Sequence, residues 1–98
     1  MRYLIEWEYD PKNVKAITEA SIKMQEERKK NPEKYTKLIF PNHVFLGETK
    51  GFAIIEGTKE QIWDWVLSAK GMMKYKLRPI VPDTEAVEAV KKVYDIEE

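Results

Sequence analysis

Arg2-Tyr3-Leu4-Ile5-Glu6-Trp7-Glu8-Tyr9-Asp10-Pro11 is the stretch whose reading decides the fold. From Tyr3 to Tyr9, apolar and acidic residues mix at strand spacing. Tyr3, Ile5 and Trp7 share one face, and Leu4, Glu6 and Glu8 share the other. Asp10-Pro11 then fits a helix start, with Asp as the cap and Pro at the first helical position. Val14, Ile17, Ser21 and Met24 follow at 3-4-3 spacing, with Lys or Glu at most other positions. That pattern predicts an amphipathic helix with a narrow apolar stripe, stopped after Lys30 by Asn31-Pro32. At 1.5 Å per residue it spans roughly 30 Å.

Further along, Lys37 to Leu46 is β-rich but interrupted by Pro41, which cannot donate to a ladder. This strand is therefore expected at a sheet edge, at a bulge, or both. Gly47 to Gly51 reads as a turn and Phe52 to Glu56 as a short strand, together a β-hairpin. Thr58-Lys59-Glu60-Gln61 is a capping-box pattern that introduces a second helix carrying Ile62, Trp63, Trp65, Val66 and Leu67, ended by Gly71. Lys74 to Val81 gives a fourth strand, and Asp83 caps a last helix with Val87, Val90 and Tyr94 on one side. The order β-α-β-β-α-β-α is the split βαβ, or ferredoxin-like, arrangement of the α+β class. Right-handed crossovers place the strands 4-1-3-2 in a four-stranded antiparallel sheet with both main helices on one face. Strand 2 is then an edge, where Pro41 is tolerable.

Two helices cover only one side of such a sheet. Glu6 and Glu8 are poor occupants of the covered side, so Tyr3, Ile5 and Trp7, with Ala53 and Ile55, are expected under the helices. Leu4, Glu6, Glu8, Phe52, Ile54, Glu56, Lys76, Arg78 and Ile80 then face outward. Leu4, Phe52, Ile54 and Ile80 form a large apolar patch for a monomer, and a second copy of the chain is the simplest cover. The expected partner is thus the chain itself, in a two-fold homodimer, with the edge strand and last helix available for added contacts.

Arg2 to Pro11, Lys37-Leu38 leading to His43, Gly51 to Glu56, Trp63-Asp64-Trp65 and Lys76 to Asp83 together resemble a family of small proteins of unassigned activity with a dimeric α/β-barrel fold. The resemblance spans nearly the whole chain, residues 1–98 as one domain. The chain departs from it in a longer, more charged first helix and in Pro41-Asn42 before the histidine, where a basic-aromatic pair is expected. The resemblance implies the fold and a dimer. The wider superfamily includes monooxygenases, haem peroxidases and isomerases, so fold alone selects no chemistry.

Composition narrows the classes further. Ninety-eight residues, 43% hydrophobic, suffice for one core and not two. The absence of cysteine excludes a disulfide framework, thiolate metal sites and cysteine nucleophiles. Seventeen basic residues balance seventeen acidic ones, so no net field draws nucleic acid or an anionic membrane. The first residues carry charge too early for a signal peptide and no apolar run nears membrane length, which makes a cytoplasmic location the expectation. Fourteen Lys and thirteen Glu against two Gln and three Asn lean toward a heat-adapted source.

His43, the single histidine, is a candidate general base, or a haem ligand were a cofactor to enter; otherwise it bonds a neighbouring backbone group. No CxxCH motif or second histidine accompanies it, so no cofactor is expected. Glu6 and Glu56 are either a carboxylate pair for acid–base work or partners of Arg78 and Lys76 in cross-strand ion pairs. No calcium loop or His-Glu ligand set is present, so no metal is expected. Trp63 and Trp65 lie about 200° apart on their helix, so both cannot face the core. Trp65, in phase with Ile62 and Ala69, has the core position, and Trp63 is the rim candidate.

Lys50-Gly51-Phe52-Ala53-Ile54-Ile55 also matches the opening of an RNA-recognition signature on the third strand. That signature needs aromatics where Ile54 and Gly57 stand, and the neighbouring glutamates repel phosphate, so nucleic acid is not an expected partner. The function expected is binding of a small organic molecule, a carboxylate among the options, in a cleft between sheet and helices. Phe52, Ile54, Trp63 and His43 line it in this reading, Arg78 grips a carboxylate, and Glu6 or His43 serves as base if there is chemistry. Whether the protein is an enzyme stays open. The alternative is a structural or regulatory dimer whose outward face is only an interface.

Overall fold

The face alternation of the first strand organises the computed structural model, which describes residues 1–97. In chain order the elements are β1 (Arg2–Tyr9), α1 (Val14–Lys30), β2 (Lys37–Val44), β3 (Lys50–Glu56), α2 (Lys59–Leu67), β4 (Met73–Ile80) and α3 (Asp83–Tyr94). The four strands form one antiparallel sheet in the order β2-β3-β1-β4, the expected ferredoxin-like order read from the opposite edge. Register sets Ile5 opposite Ala53 on one side and Leu77 on the other, with Tyr3 opposite Ile55. Ile5, Ala53 and Ile55 are fully buried, and Tyr3, Leu38, Ile62, Trp65, Tyr75 and Leu77 pack against them. Burying an isoleucine side chain stabilises the fold by roughly 1.5–3 kcal/mol, so this inner face is where β1 and β3 are locked in register.

Local chemistry explains most boundaries and shifts a few. The Asp10 carboxylate accepts from the Lys12 backbone N–H at 3.0 Å, but what it caps is a 3-10 turn, Pro11–Asn13. The α-helix proper starts at Val14, because a 3-10 turn is the tighter entry that often precedes one. Pro41 lies on edge strand β2 within the second of two register shifts, Leu38/Phe40 and Phe40/His43, so the strand is both edge and bulge and ends at Val44, short of Leu46. The capping box of α2 is complete: Gln61 N–H donates to Thr58 Oγ1 at 3.2 Å, and Thr58 N–H donates to Gln61 Oε1 at 3.0 Å. That helix ends at Leu67, and Gly71, at φ 80°, closes the turn after it. Asp83 is not the cap of α3. Pro82 holds that place, and Asp83 stands in the first turn, where a carboxylate still complements the helix dipole.

Helices α1 and α2 lie largely on one face of the sheet. The last helix does not join them: every residue of α3 except Lys91 is exposed, including Val87, Val90, Val93 and Tyr94. A 12-residue helix exposed along nearly its whole length is marginal in water. The chain has a radius of gyration of 16.7 Å, against about 13 Å for a compact chain of this length. It exposes 7733 Å², whereas a compact monomer of 11.6 kDa exposes about 5,800 Å². Among the described residues no helix is long and apolar enough to cross a membrane.

Candidate functional site

Under the helices the sheet does not fill its space. Between α1, α2 and the inner face lies a cavity of about 370 Å³. Trp7, Leu38 and Tyr75 line it from the sheet, Ile17, Ser21, Met24 and Arg28 from α1, and Trp65, Ser68 and Ala69 from α2 and the turn after it. Ile17 is the one buried residue of α1, which fits a helix held off the sheet by large rings.

Three of those side chains are fixed by the local sequence. Trp7 sits opposite Gly51, and a Cβ there would collide with the Trp7 ring and the His43 carbonyl, so glycine is what lets the indole lie close to β3. The indole Nε1–H donates to Asn42 Oδ1 at 3.0 Å, and the ring stacks on Tyr9 with centroids 6.0 Å apart. Arg28 donates from Nη1 to the Thr36 carbonyl at 2.9 Å, and its guanidinium carbon lies 5.0 Å from the centre of the Trp65 ring. Burial lowers the Arg28 pKa below its ordinary value, with the Tyr35 phenol pulling the other way. Burial also pushes the Tyr75 phenol up to about 12. Thr36 Oγ1 is buried without a hydrogen-bond partner next to this wall.

The outward face is different in kind. Phe40 stacks on His43 at 4.4 Å and on Phe52 at 5.7 Å, and Phe45 tilts against Phe52 at 5.8 Å. His43 Nδ1 lies 2.7 Å from the Pro41 carbonyl, which can only accept, so that nitrogen carries the proton. Ion pairs flank the aromatics: Arg2 with Glu56 at 3.0 Å, Lys50 with Glu8 at 3.5 Å and Arg78 with Glu6 at 3.8 Å. The Arg2 N–H donated to Glu56 holds that carboxyl below the usual carboxylate range.

The structure brings five of the six sequence-derived site residues to this outward face, and none of the six lines the inner cavity. Phe52, Ile54, Glu6, Arg78 and His43 belong to strands whose alternation turns them away from the helices. Trp63 sits on α2, on the other side of the sheet, and is 63% exposed. Phe52 and Trp63 therefore cannot line one cleft. The Glu6–Glu56 carboxylate pair does not form either, because register sets Glu56 opposite Arg2 and Glu6 opposite Phe52 and Lys76. Arg78 already faces the Glu6 carboxylate. Among the described residues no group of three or more His, Cys, Asp or Glu converges as a metal cluster would.

A profile of DUF3303, a domain of unknown function, matches residues 1–94. The chain belongs to the DUF3303 family. No curated protein matches it. In this DUF3303 chain the residue that sequence reading missed is Arg28. Its signal was periodic: Arg28 stands four residues after Met24, which continues the stripe of Val14, Ile17, Ser21 and Met24. Trp7, expected under the helices as core, is instead a wall of the cavity, as is Tyr75.

Proposed function

We propose that the protein binds a small organic molecule in the cavity between its sheet and its two covering helices. The cavity itself carries this reading. Its volume falls in the range of small-ligand sites, its walls are mostly apolar and aromatic, and a few polar groups converge on it. Native mass spectrometry of freshly purified, untagged protein tests it. A reproducible adduct is expected, lost when Ser21→Trp fills the cavity. An adduct unaffected by that substitution would place the ligand elsewhere.

A second reading concerns assembly, and the surface area favours it. The excess of about 1,900 Å² over a compact monomer exceeds the roughly 800 Å² that each partner of a standard interface buries. The large apolar residues left exposed include Phe40, Val44 and Phe45 in and after β2 and Val87, Val90, Val93 and Tyr94 on α3. We infer a homodimer in which the two outward faces meet and α3 docks on the partner subunit, closing a dimeric α/β barrel. Aromatic anchors Phe40, Phe45 and Phe52 form its centre, and the Arg2–Glu56 and Arg78–Glu6 pairs form its polar rim. On this reading alone the protein is a dimerisation module. With the cavity occupied, the dimer carries one ligand per subunit. Sedimentation equilibrium of the chain cut after Val81 separates the contributions: a weaker dimer is expected, and an unchanged one would remove α3 from the interface.

A further inference from the structure

We propose that Arg28 is the anion anchor of the inner cavity and that the cavity's ligand is a planar aromatic monocarboxylate. This rests on the small-molecule reading above and names its ligand class. The first observation is electrostatic. In a chain with 35% charged residues, Arg28 is the one charged side chain lining the cavity among the described residues. Among the described residues no Asp or Glu lines the cavity with it, and no carboxylate lies within ion-pair distance of its guanidinium. A half-buried cation without an anion is a costly arrangement that a bound anion relieves.

The second observation is geometric. A guanidinium has five N–H donors, and Arg28 gives one to the Thr36 carbonyl while its face rests over Trp65. The hydrogen bond and the ring contact fix its orientation and leave donors free for a carboxylate, whose two oxygens suit the planar fork. The third observation is the shape of the walls. Trp7 stacked on Tyr9, Trp65 beneath the guanidinium, and Tyr75 give flat aromatic surfaces around the remaining volume. Such walls favour a ring over a flexible chain, because offset stacking adds to burial and a rigid ligand loses little entropy. A volume of about 370 Å³ has room for one or two fused rings and their carboxylate. The hydroxyl of Ser68 is given to the Trp65 carbonyl at 2.6 Å, and the other polar side chains of the lining, Thr18, Ser21 and Gln25 among them, are neutral, so an anion goes to Arg28.

The test follows the three indole N–H signals by ¹H–¹⁵N NMR on the full chain, titrated with 2-naphthoate and separately with neutral 2-naphthylmethanol. Naphthoate is expected to shift Trp7 and Trp65 and to leave Trp63 in place, binding roughly 10- to 100-fold more tightly than the alcohol. Arg28→Met is expected to remove that preference, and Arg28→Lys to restore part of it, since a lysine keeps the charge and loses the fork. Equal affinity for the two probes in the wild-type protein would overturn the anion anchor while leaving the cavity as a ligand site. The same holds if Arg28→Met, shown folded by its amide spectrum, keeps the preference. If neither probe moves Trp7 or Trp65, the anchor and the small-molecule reading both fall. The wild-type comparison needs no variant, so a poorly folding Arg28→Met does not protect the proposal.

Discussion

Ile54 and Ile55 are neighbours in β3 and stand on the two sides of one sheet. Ile55 is fully buried against Ile5, Ala53 and the ring of helix-side residues around them. Ile54 lies outward among Leu4 and Phe40, on a face that nothing in the single chain covers. The inner face has helices and a cavity, and the one charged lining residue among the described residues, Arg28, is half-buried. The outer face has stacked aromatics and exposed ion pairs. The same alternation of side chains thus gives one surface fit to enclose a small molecule and another fit to meet a second protein surface.

Substitutions at these neighbours should separate the two faces. Ile55→Ala is expected to destabilise the fold by about 4 kcal/mol, within the range for emptying a tight core site. Chemical denaturation should show the loss at every protein concentration. On the proposed dimer, Ile54→Ala should cost less and in a concentration-dependent way, because a partner would complete its burial. A concentration-independent loss of equal size at both positions would erase the distinction.

Phe52→Asp puts a charge at the centre of the outward aromatic cluster. A weakening of the dimer by roughly 100-fold is expected, as for a central aromatic anchor, with the circular dichroism spectrum unchanged. An unfolded variant would mean that Phe52 supports the monomer fold instead. Gly51→Ala tests the contact on which the inner face depends. Its new methyl meets the Trp7 ring and the His43 backbone carbonyl, so a loss of about 2 kcal/mol is expected, together with a shifted Trp7 indole signal. A neutral result would show that β2 and the indole can draw back freely.

The smallest effect belongs to pH. The folded Tyr75 phenol titrates near 12, above its ordinary value of 10.0, because burial disfavours the phenolate. Between those values the folded state holds a proton that the unfolded chain releases. Stability is therefore full below about pH 10 and falls as pH rises toward 12. A late phenol ionisation is expected in an ultraviolet titration, and it should vanish in Tyr75→Phe. A late step that survives Tyr75→Phe would assign it to another ring.

The fold was legible because its signals are local and redundant. Glutamates at positions 6 and 8 fix which side of β1 is outward, Pro41 confines β2 to an edge, and Thr58 with Gln61 marks the start of α2. The site was legible only in part. Alternation alone already separates Phe52 and Ile54 from a cleft under the helices, and grouping them with Trp63 set that constraint aside. Arg28 continues the spacing of Val14, Ile17, Ser21 and Met24, but on a helix crowded with Lys and Glu one more cation carries no distinguishing signal. The cavity has no linear signature. Its volume depends on how far Trp7, Trp65 and Tyr75 hold α1 from the sheet, which is a property of packing between segments distant in sequence.

The most direct test of the two-faced sheet is sedimentation equilibrium of the wild-type chain beside Phe52→Asp at micromolar concentration. Wild type at twice the chain mass and the variant at the single mass are expected. A wild-type protein that sediments as a monomer would contradict the assignment of the outward face to a second copy.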